Sequence, residues 1–316
     1  MLIPLPAAGM TCGKGDSAKI RDVWVIAMIY AFIVNPAAGN GYSLEIMQRL
    51  EESMKARGTE YSMYRTERPG HGTEIAAGLS KNKEIAAVVS VGGDGTAGEV
   101  AAGLTGTGKP MGIIPAGTGN DFIKSAGIPI DPSQALELLL TGKAKETDTG
   151  TVNNNFFLNV CGTGFDVTVL DYAENEKKKH RGLTPYFLGL IKAIFHYKST
   201  QLKITADGQE EEGQYLICSV ANGRFIGGGI PICPKADIQD GKLDLVMIRN
   251  VHRWQIPFYL PGLMLSRDLN FRITRHRRIS DIIIEGSHLR INIDGDIKSV
   301  DRAEFRINPG SLMLIC

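Results

Sequence analysis

Apolar and polar positions along the first 140 residues follow two alternating periods. Short β-branched apolar runs predict strands, and apolar residues spaced three and four apart predict helices. The strands are expected at 28–34, 61–65, 85–91 and 111–114, and the helices at 43–57, 72–79, 97–104 and 133–140, with Ser43 as the first N-cap. This alternation indicates an α/β fold with a doubly wound parallel sheet, in which ligands bind beyond the carboxyl ends of the strands.

The pattern changes at about residue 148. Short strands are expected at 156–160, 202–206, 215–221, 243–248, 279–285, 289–293 and 304–307, with fewer helices at 166–176, 184–197 and 253–265. This indicates a second, mostly antiparallel β domain. Residues 1–27 carry scattered glycine and proline without periodicity, so we expect an extension or tag there; an ordinary lead-in to the first strand is the alternative.

Composition narrows the class of protein. With 35 basic and 34 acidic residues the net charge is +1, which disfavours nucleic acid as a partner. The five cysteines are widely spaced without a Cys-x-x-Cys pair, so neither a zinc ribbon nor a disulfide framework is indicated, and a cytoplasmic location is expected. The longest apolar run, 23–34, is shorter than the roughly 20 residues that a membrane span requires.

Two glycine-rich turns follow predicted strands of the α/β domain. Gly92-Gly93-Asp94-Gly95-Thr96 leads from a strand into a helix, where glycines allow close backbone approach and free N–H groups attract phosphate. Because Asp94 would repel a bare phosphate, its presence indicates a bridging metal ion. The second turn, 116–122, adds Thr118 and Asp121 at the neighbouring strand end. A glycine-rich turn without a ligand is the alternative.

Six motifs in order resemble the diacylglycerol kinase catalytic-domain family, in its soluble bacterial lipid kinase branch, which shares its core with sphingosine and ceramide kinases. The resemblance covers about 28–316. Its carriers are Asn35-Pro36-x-x-Gly39, Gly92-Gly93-Asp94-Gly95-Thr96, Gly117-Thr118-Gly119-Asn120-Asp121, Asn159-x-x-Gly162-x-Gly164-Phe165-Asp166, Asp237-x-x-Asp240-Gly241-x-Leu243 and Asp294-Gly295-Asp296. The Gly-Gly-Asp-Gly-Thr motif alone would not be specific, because NAD kinases share it.

The resemblance implies an ATP-dependent kinase that transfers the γ-phosphate to the hydroxyl of a diacylglycerol-like lipid, giving a phosphatidic-acid-like product. It also implies an ATP-binding α/β domain over 28–147 and a β-sandwich lipid-substrate domain over 148–305. The C-terminal segment, about 306–316, is expected to return to the first domain. The lipid itself is not identified: diacylglycerol, a sphingoid base, phosphatidylglycerol and an undecaprenol-like alcohol all present one hydroxyl.

Site residues are carried over by position. The nucleotide contacts implied are Asn35, Thr66, Gly92, Gly93, Asp94, Gly95, Thr96, Ala97, Gly98, Glu99 and Thr118. Asp94 and Asp121 would serve the catalytic metal and phosphate region, and Asp296 would be the general base. A structural Mg²⁺ would lie on Asp237, Asp240 and the Lys242 carbonyl; an Asp-Gly hairpin turn is the alternative, compatible with an ion.

Two positions depart from the family pattern. The family usually has Asn where Gly98 stands, and it usually has Glu where Asp296 stands. A shorter carboxylate must still come within about 2.6–3.2 Å of the proton it removes, or act through one water. A NAD kinase-like activity and a catalytically impaired lipid- or nucleotide-binding homologue therefore remain alternatives, although the Thr-Pro-x-Gly-Ser-Thr-Ala-Tyr stretch of NAD kinases is absent.

Reaching a lipid substrate requires contact with a bilayer. The basic residues 177–181 precede an amphipathic helix over 184–197, a combination that favours peripheral association with the inner face of the membrane. A solvated charge run before a core helix is the alternative, and the basic cluster 275–278 is open to the same two interpretations. Residues 259–265 could line an acyl-chain cleft. A homodimer is compatible with the sequence.

Overall fold

The structure is a computed structural model, and it describes residues 28–177, 180, 184–264 and 273–316. The predicted extension over 1–27 lies outside the described residues. So do Lys178, Lys179 and Arg181 of the first predicted basic cluster, and Leu265 at the end of the proposed acyl-chain segment.

The first part of the chain alternates strands and helices, as its periodicity predicts. The strands are β1 Ile29–Val34, β2 Tyr61–Arg65, β3 Ile85–Gly92 and β4 Pro110–Pro115. The helices are α1 Tyr42–Ala56, α2 His71–Leu79, α3 Asp94–Leu104, α4 Asp121–Ala126 and α5 Pro132–Thr141. The central strands β1 and β3 are almost wholly buried, which explains why their sequences are continuous apolar runs.

The four strands of this part are parallel and lie in the order β2-β1-β3-β4. From β1 the chain moves outward to β2, and from β3 it moves outward in the opposite direction to β4. Right-handed crossovers then place α1 on one face of the sheet and α2 and α3 on the other. The order of strands therefore reverses between β1 and β3, and this is where open α/β sheets form their ligand crevice.

The second part of the chain is largely antiparallel. Its strands are β5 Ala144–Val152, β6 Asn155–Phe157, β7 Val160–Gly164, β8 Thr200–Ala206, β9 Gln209–Ala221, β10 Leu243–Arg249, β11 Thr274–Ile279, β12 Asp281–Ile293 and β13 Asp296–Ile315. Its helices are α6 Phe165–Lys177, α7 Thr184–His196 and α8 Ile256–Met264. Two apolar clusters form its core, separate from the cluster that surrounds β1, β3 and β4.

Strand β13 connects the two parts. Its first half pairs antiparallel with β12, its second half pairs antiparallel with β5, and Met313 and Leu314 pair in parallel with β4. As a result, the described strands form one hydrogen-bonded sheet of 13 strands. The domain limits expected after residues 147 and 305 both lie inside strands, β5 and β13, instead of in linkers.

Local structure differs from the expectations in several elements: β7 and β11 were not predicted, and β13 extends well beyond the strand expected at 304–307. Helix α1 begins after Gly41 (φ 93°), so Ser43 lies inside the helix and not at its N-cap, and its hydroxyl donates to the Asn35 carbonyl at 2.6 Å. Helix α3 begins at Asp94, three residues earlier than predicted, because Gly93 supplies the extended N-cap. Helix α4 and strand β5 were not predicted; β5 buries polar residues over 147–149, so it lacks an apolar signature.

Candidate active site

Three loops meet backbone to backbone at the carboxyl ends of β1, β3 and β4. The Ala116 amide donates to the Gly92 carbonyl at 2.7 Å. A β-carbon at Gly117 would lie 2.3 Å from the Gly93 α-carbon, and one at Gly39 would lie 2.4 Å from the Ala116 carbonyl oxygen. Glycine is required at these positions because the backbones touch, and the result is a crevice lined by main-chain groups.

Asn35 and Thr96 fasten the first loop to the start of α3. Asn35 donates from Nδ2 to the Thr96 hydroxyl at 3.1 Å, and its Oδ1 accepts from the Ala37 amide at 3.0 Å. A β-carbon at Gly92 would lie 2.4 Å from Thr96 Oγ1, so the strand end depends on a glycine there. Both side chains therefore hold the loops in place, and the N-terminus of α3 faces the crevice with its unpaired N–H groups.

Asp94 and Asp121 converge on Gly119. A β-carbon at Gly119 would lie 3.0 Å from Asp94 Oδ2 and 3.5 Å from Asp121 Oδ2, while Asp94 Oδ1 accepts from the Phe122 amide at 3.1 Å. Burial, together with the nearby charge of Asp121, raises the pKa of Asp94 above its ordinary value. Two crowded carboxylates whose charges repel suit a shared divalent cation, so the residues present fit a Mg²⁺ ion here.

Asp121 also joins the two parts of the molecule. Its carboxylate is buried and pairs with Lys124 Nζ at 2.9 Å through Oδ1. Its Oδ2 accepts from the Gly228 amide at 2.8 Å, across more than a hundred residues of sequence. Ser125 Oγ accepts from the Arg224 amide at 2.8 Å beside it. The loop around Gly228 is thus held against the crevice.

The Asp294 turn lies near Asp94. Asp294 accepts from the backbone amides of Leu158, Asn159 and Val160 at 2.6, 3.0 and 2.9 Å. Removal from water, with the charge of Asp94 nearby, raises the pKa of Asp294 to about 6. Asp296, the expected general base, begins β13 two residues later and is exposed. Sequence reasoning assigned no role to Asp294, which anchors this turn.

The other expected nucleotide contacts differ in exposure and in hydrogen-bond partners. Thr66 follows β2 and donates its amide to the Val34 carbonyl at 2.9 Å, and Thr118 is exposed in the loop after β4. Ala97 is buried in α3, and a β-carbon at Gly98 would meet open space. Glu99 accepts from the amides of Gly70 and Gly72 at 2.8 and 2.9 Å, so its carboxylate holds the start of α2.

The expected structural Mg²⁺ site is a tight loop before β10. Asp237 Oδ1 accepts from the Gln239 amide at 3.1 Å, and Asp240 Oδ1 accepts from the Lys242 amide at 3.0 Å, as in a hairpin turn. Asp240 Oδ2 is buried without a hydrogen bond to any described residue, with Arg278 Nη1 3.5 Å away. The two carboxylates of this loop supply the oxygen ligands that a hard cation such as Mg²⁺ prefers, so a turn and an ion site are compatible here.

An apolar cavity of about 420 Å³ lies in the second part of the chain. Helices α6, α7 and α8 and strand β9 supply its apolar walls, through residues that include Val169, Leu170, Leu190, Leu216, Ile217 and Ile256. Residues 227–229 form another wall, and this is the loop whose Gly228 amide binds Asp121. The cavity therefore adjoins the crevice through this loop.

One buried carboxylate reaches this cavity. Asp166, in the first turn of α6, lines the wall together with Asn292. Its Oδ1 has no hydrogen-bond partner among the described residues, and burial raises its pKa to about 6. Asp166 belongs to a motif noted in the sequence, but nothing in the pattern indicated that it faces a cavity.

Large apolar side chains are exposed beside the cavity. Phe187, Ile191 and Phe195 recur every four residues on one side of α7, and Trp254 and Phe258 are 73% and 83% exposed near the start of α8. Arg253 donates to the Phe195 carbonyl at 3.2 Å and joins the two groups. We call these five residues the aromatic patch. None of the helices that the structure describes has the length and hydrophobicity of a membrane span.

Comparisons with known proteins agree over most of the chain. Residues 30–152 match the diacylglycerol kinase catalytic domain, and residues 159–316 match the YegS C-terminal NAD kinase beta sandwich-like domain. A protein named "Diacylglycerol kinase" from Mycobacterium tuberculosis is 27% identical over 292 residues, which cover 90% of this chain and 93% of that protein. A protein named "Probable lipid kinase YegS-like" from Pseudomonas aeruginosa is 33% identical over 231 residues, which cover 72% and 76%.

Solved structures show the same fold. A crystal structure of a diacylglycerol kinase from Bacillus anthracis superposes with a TM-score of 0.70 at 22% identity, covering 92% of this chain and 96% of that one. The expected combination of an α/β domain with a largely antiparallel β domain is thereby confirmed.

Proposed function

Because the chain belongs to the family of bacterial diacylglycerol kinases and YegS-like lipid kinases, we propose that it transfers the γ-phosphate of ATP to the hydroxyl of a diacylglycerol-like lipid. Membership of this family supports a phosphotransferase. The observation that carries the finer proposal is the loop of Gly228, which contacts Asp121 in the polar crevice and forms a wall of the apolar cavity. A phosphate donor bound in the crevice and a lipid bound in the cavity would therefore be separated only by this loop, close enough for transfer.

The crevice would bind the nucleotide. The N-terminus of α3 presents backbone N–H groups, and three loops without side chains at their contact points allow phosphates to approach the main chain. Asn35 and Thr96 keep these loops together, and Glu99 positions the 70–72 segment. Thr66, which follows β2, and Thr118, in the loop after β4, would contact the rest of the nucleotide.

Asp94 and Asp121 would hold Mg²⁺, which when bound neutralises charge on the transferring phosphoryl group. Lys124, paired with Asp121, fixes the orientation of that carboxylate. Asp237, Asp240 and the Lys242 carbonyl would hold a second, structural Mg²⁺, for which Asp240 Oδ2 offers a buried oxygen that has no hydrogen bond to any described residue.

Asp296 would accept the proton of the lipid hydroxyl. Its turn is anchored by Asp294, which lies near enough to Asp94 for the two charges to interact. Asp296 is exposed, so its carboxylate is accessible to a substrate hydroxyl. The side chain is one methylene shorter than the family's usual Glu, so substrate must approach closely or through a water.

The cavity would take an acyl chain. Its volume of about 420 Å³ falls in the range of about 300–1,000 Å³ of small-molecule sites. A predominantly apolar wall suits a hydrocarbon chain and not a dinucleotide, which favours a lipid over NAD. The unpaired Asp166 Oδ1 could accept a hydrogen bond from the polar part of the lipid.

The aromatic patch would place the cavity at a bilayer. Exposed aromatic side chains are amphipathic or apolar groups that partition into the membrane interface. The patch and the cavity share Phe187, so a lipid could enter without crossing water. We therefore propose peripheral contact with the inner face of the cytoplasmic membrane.

The test is a labelled-phosphate assay with γ-labelled ATP and Mg²⁺. Separate reactions contain vesicles with diacylglycerol, sphingosine, phosphatidylglycerol or undecaprenol, a total lipid extract, and NAD. We expect label in a lipid product, most of all with diacylglycerol. Label in NAD phosphate alone would replace this proposal with the NAD kinase alternative, and ATP binding without transfer to any acceptor would favour the impaired homologue.

Asp94→Asn is the control for that assay. The Asn side-chain oxygen can still accept the Phe122 amide, so the loop should fold, but the charge that would hold the metal is lost. We expect transfer to fall by about 10³-fold or more, the range for losing a major electrostatic contribution to phosphoryl transfer. Unchanged transfer in this variant would remove Asp94 from the site.

A further inference from the structure

Three side chains of different chemistry converge on one point beside the outer strands of the second part. Cys233 Sγ, a carboxylate oxygen of Asp244 and a ring nitrogen of His276 all lie within 4.8 Å of one another. Cys233 and Asp244 are buried, and the His276 side chain is 28% exposed. This cluster is separate from the crevice and the cavity described above, and nothing in the proposed function requires it.

The fold fixes the backbone positions of all three residues. Strands β10 and β11 pair antiparallel, with Asp244 opposite Arg278 and Val246 opposite His276, so Asp244 and His276 are diagonal neighbours on one face. Cys233 lies in the loop before β10, where its amide donates to the Arg224 carbonyl and its carbonyl accepts from the Ala236 amide, both at 3.1 Å. The cluster therefore combines an edge strand, its neighbour and a restrained loop.

The environment of the Asp244 carboxylate indicates a bound ligand. The residue is fully buried, and its Oδ2 has no hydrogen-bond partner in the part of the chain that the structure describes. Its Oδ1 contacts His276 Nε2, and Arg278 Nε lies 3.9 Å away. A buried carboxylate oxygen without a partner is costly, and a bound cation would remove that cost.

We propose that Cys233, Asp244 and His276 bind a transition-metal ion of the Zn²⁺ type. Thiolate, imidazole and carboxylate are the ligands that Zn²⁺ uses in proteins, usually in tetrahedral sites. The partly exposed His276 leaves the site open on one side for entry and for a water as fourth ligand. The mixed sulfur, nitrogen and oxygen set distinguishes this site from the oxygen-only loop at 237–242, which suits Mg²⁺.

Binding has a defined proton balance. Burial, with Asp244 beside it, raises the pKa of the Cys233 thiol to about 12, so the metal-free site holds a protonated thiol. Metal binding forms a metal–sulfur bond and releases that proton to solvent, as for other thiolate sites. No oxidant or reductant is involved.

The alternative is that side chains of the protein itself, instead of a metal ion, neutralise Asp244. The His276 imidazole together with the half-exposed Arg278 could balance the Asp244 charge without any metal. That arrangement needs nothing from Cys233, whereas a metal site needs the sulfur. The requirement for Cys233 therefore separates the two possibilities.

A metal ion at this site would have a structural role. It would link edge strand β11 and the loop of Cys233 to β10. The same loop begins at residues 226–230, which line the cavity, and Thr274 of β11 lines it as well. Zinc should therefore stabilise the parts of the cavity wall that this loop and β11 supply.

The experiment measures zinc and cobalt on the full chain. The protein is stripped with a chelator, then dialysed against Zn²⁺ or Co²⁺ with excess Mg²⁺ present. We expect about one zinc per chain, a thiolate-to-cobalt charge-transfer absorption, and a thermal midpoint that rises with zinc. Cys233→Ser and His276→Gln should each weaken binding by about 100-fold or more, because even outer-shell changes cost 10–100-fold.

Matched controls keep the test specific. Cys316→Ser and His288→Gln change a cysteine and a histidine outside the cluster and should retain zinc. His276 is partly exposed, so His276→Gln should fold even if Cys233→Ser does not. Two results would overturn the proposal: zinc that dialyses away from wild type, or zinc that is held equally by wild type and His276→Gln.

Discussion

The crevice and the cavity are lined by different kinds of chemical group. The crevice is made of main chain and short polar side chains, with glycines where a β-carbon would collide with another loop. The cavity is made of branched and aromatic side chains from three helices and a strand, with Asp166 and Asn292 among its few polar groups. The two regions touch through the Gly228 amide and the Asp121 carboxylate.

This difference determines what each region demands of the sequence. Where two backbones touch, as at Gly93 and Gly117, one residue type is tolerated, and the requirement is visible as a motif. An apolar wall tolerates exchange among residues of similar volume, so it leaves no motif. A crevice for phosphate is therefore specified residue by residue, and a cavity for hydrocarbon is specified by the fold.

After Asp94→Asn, the largest expected effect concerns Asp296, which follows the Asp294 turn near Asp94. Asp296→Asn should lower the chemical step by about 10²–10⁴-fold, the range for general acid–base catalysis, while ATP and vesicle binding stay unchanged. Asp296→Glu should retain activity and can raise it, since it restores the family's usual reach. Single-turnover rates of the two variants, with ATP affinity measured separately, check this. Full activity in Asp296→Asn would mean that the exposed residue is only part of a hairpin turn.

The aromatic patch gives the next largest effect, on the cavity side. Replacing Trp254 and Phe258 with Ser should weaken vesicle binding by about 10-fold per residue, since burying one such side chain contributes about 1.5–3 kcal/mol when complete. Turnover of a short-chain, dispersed lipid should stay the same. Ile130→Ser, which removes a side chain 61% exposed elsewhere on the surface, is the control for vesicle sedimentation. Equal losses in the control would remove the patch from membrane binding.

Asp166 should make stability depend on pH. Its pKa of about 6 is above the ordinary value near 3.8, so the folded state holds the proton more tightly than the unfolded state does. The free energy of unfolding should therefore fall as pH rises from about 4 to about 6, by up to about 3 kcal/mol. Asp166→Asn should abolish this contribution and be more stable than wild type at pH 7.

Urea unfolding of both proteins at pH 4, 5, 6 and 7, without lipid, measures this difference. Asp294, whose pKa is also raised to about 6, remains in the variant and serves as the internal reference. A pH profile of Asp166→Asn parallel to that of wild type would show that the Asp166 carboxylate is not the buried, unpaired group described here.

The smallest effect belongs to Gly98. A side chain there meets open space, and the helical backbone at Gly98 does not require glycine. Gly98→Asn should therefore fold normally and tighten ATP binding several-fold by adding the amide that the family usually has. Calorimetric titration with ATP tests this, and Gly78→Asn, at another open helical glycine in α2, is the control. Weaker ATP binding would show that the amide is not part of this crevice.

The contrast between crevice and cavity also explains which features could be predicted from the sequence. Strand–helix alternation predicted β1 to β4, and the glycine motifs predicted the crevice with Asp94 and Asp121. Strand β5 was missed because its buried residues at 147–149 are polar and hydrogen-bonded, so no apolar period marks it. The Gly227-Gly228-Gly229 run was present in the sequence, but only the fold shows that it contacts Asp121, because that contact joins residues distant in sequence.

Whether the cavity and the crevice form one active site is tested most directly by asking if the cavity binds the acyl chain of the substrate. Leu170 lines the cavity and is not fully buried, so Leu170→Trp should fill the cavity without disturbing the core. Leu44→Trp, at an exposed position on α1, is the matched control. The measurement is kcat/KM for a series of diacylglycerols of increasing chain length. We expect a loss in Leu170→Trp that grows with chain length to about 10–100-fold, with ATP affinity unchanged. A loss independent of chain length, or none beyond that of the control, would contradict a lipid site in this cavity.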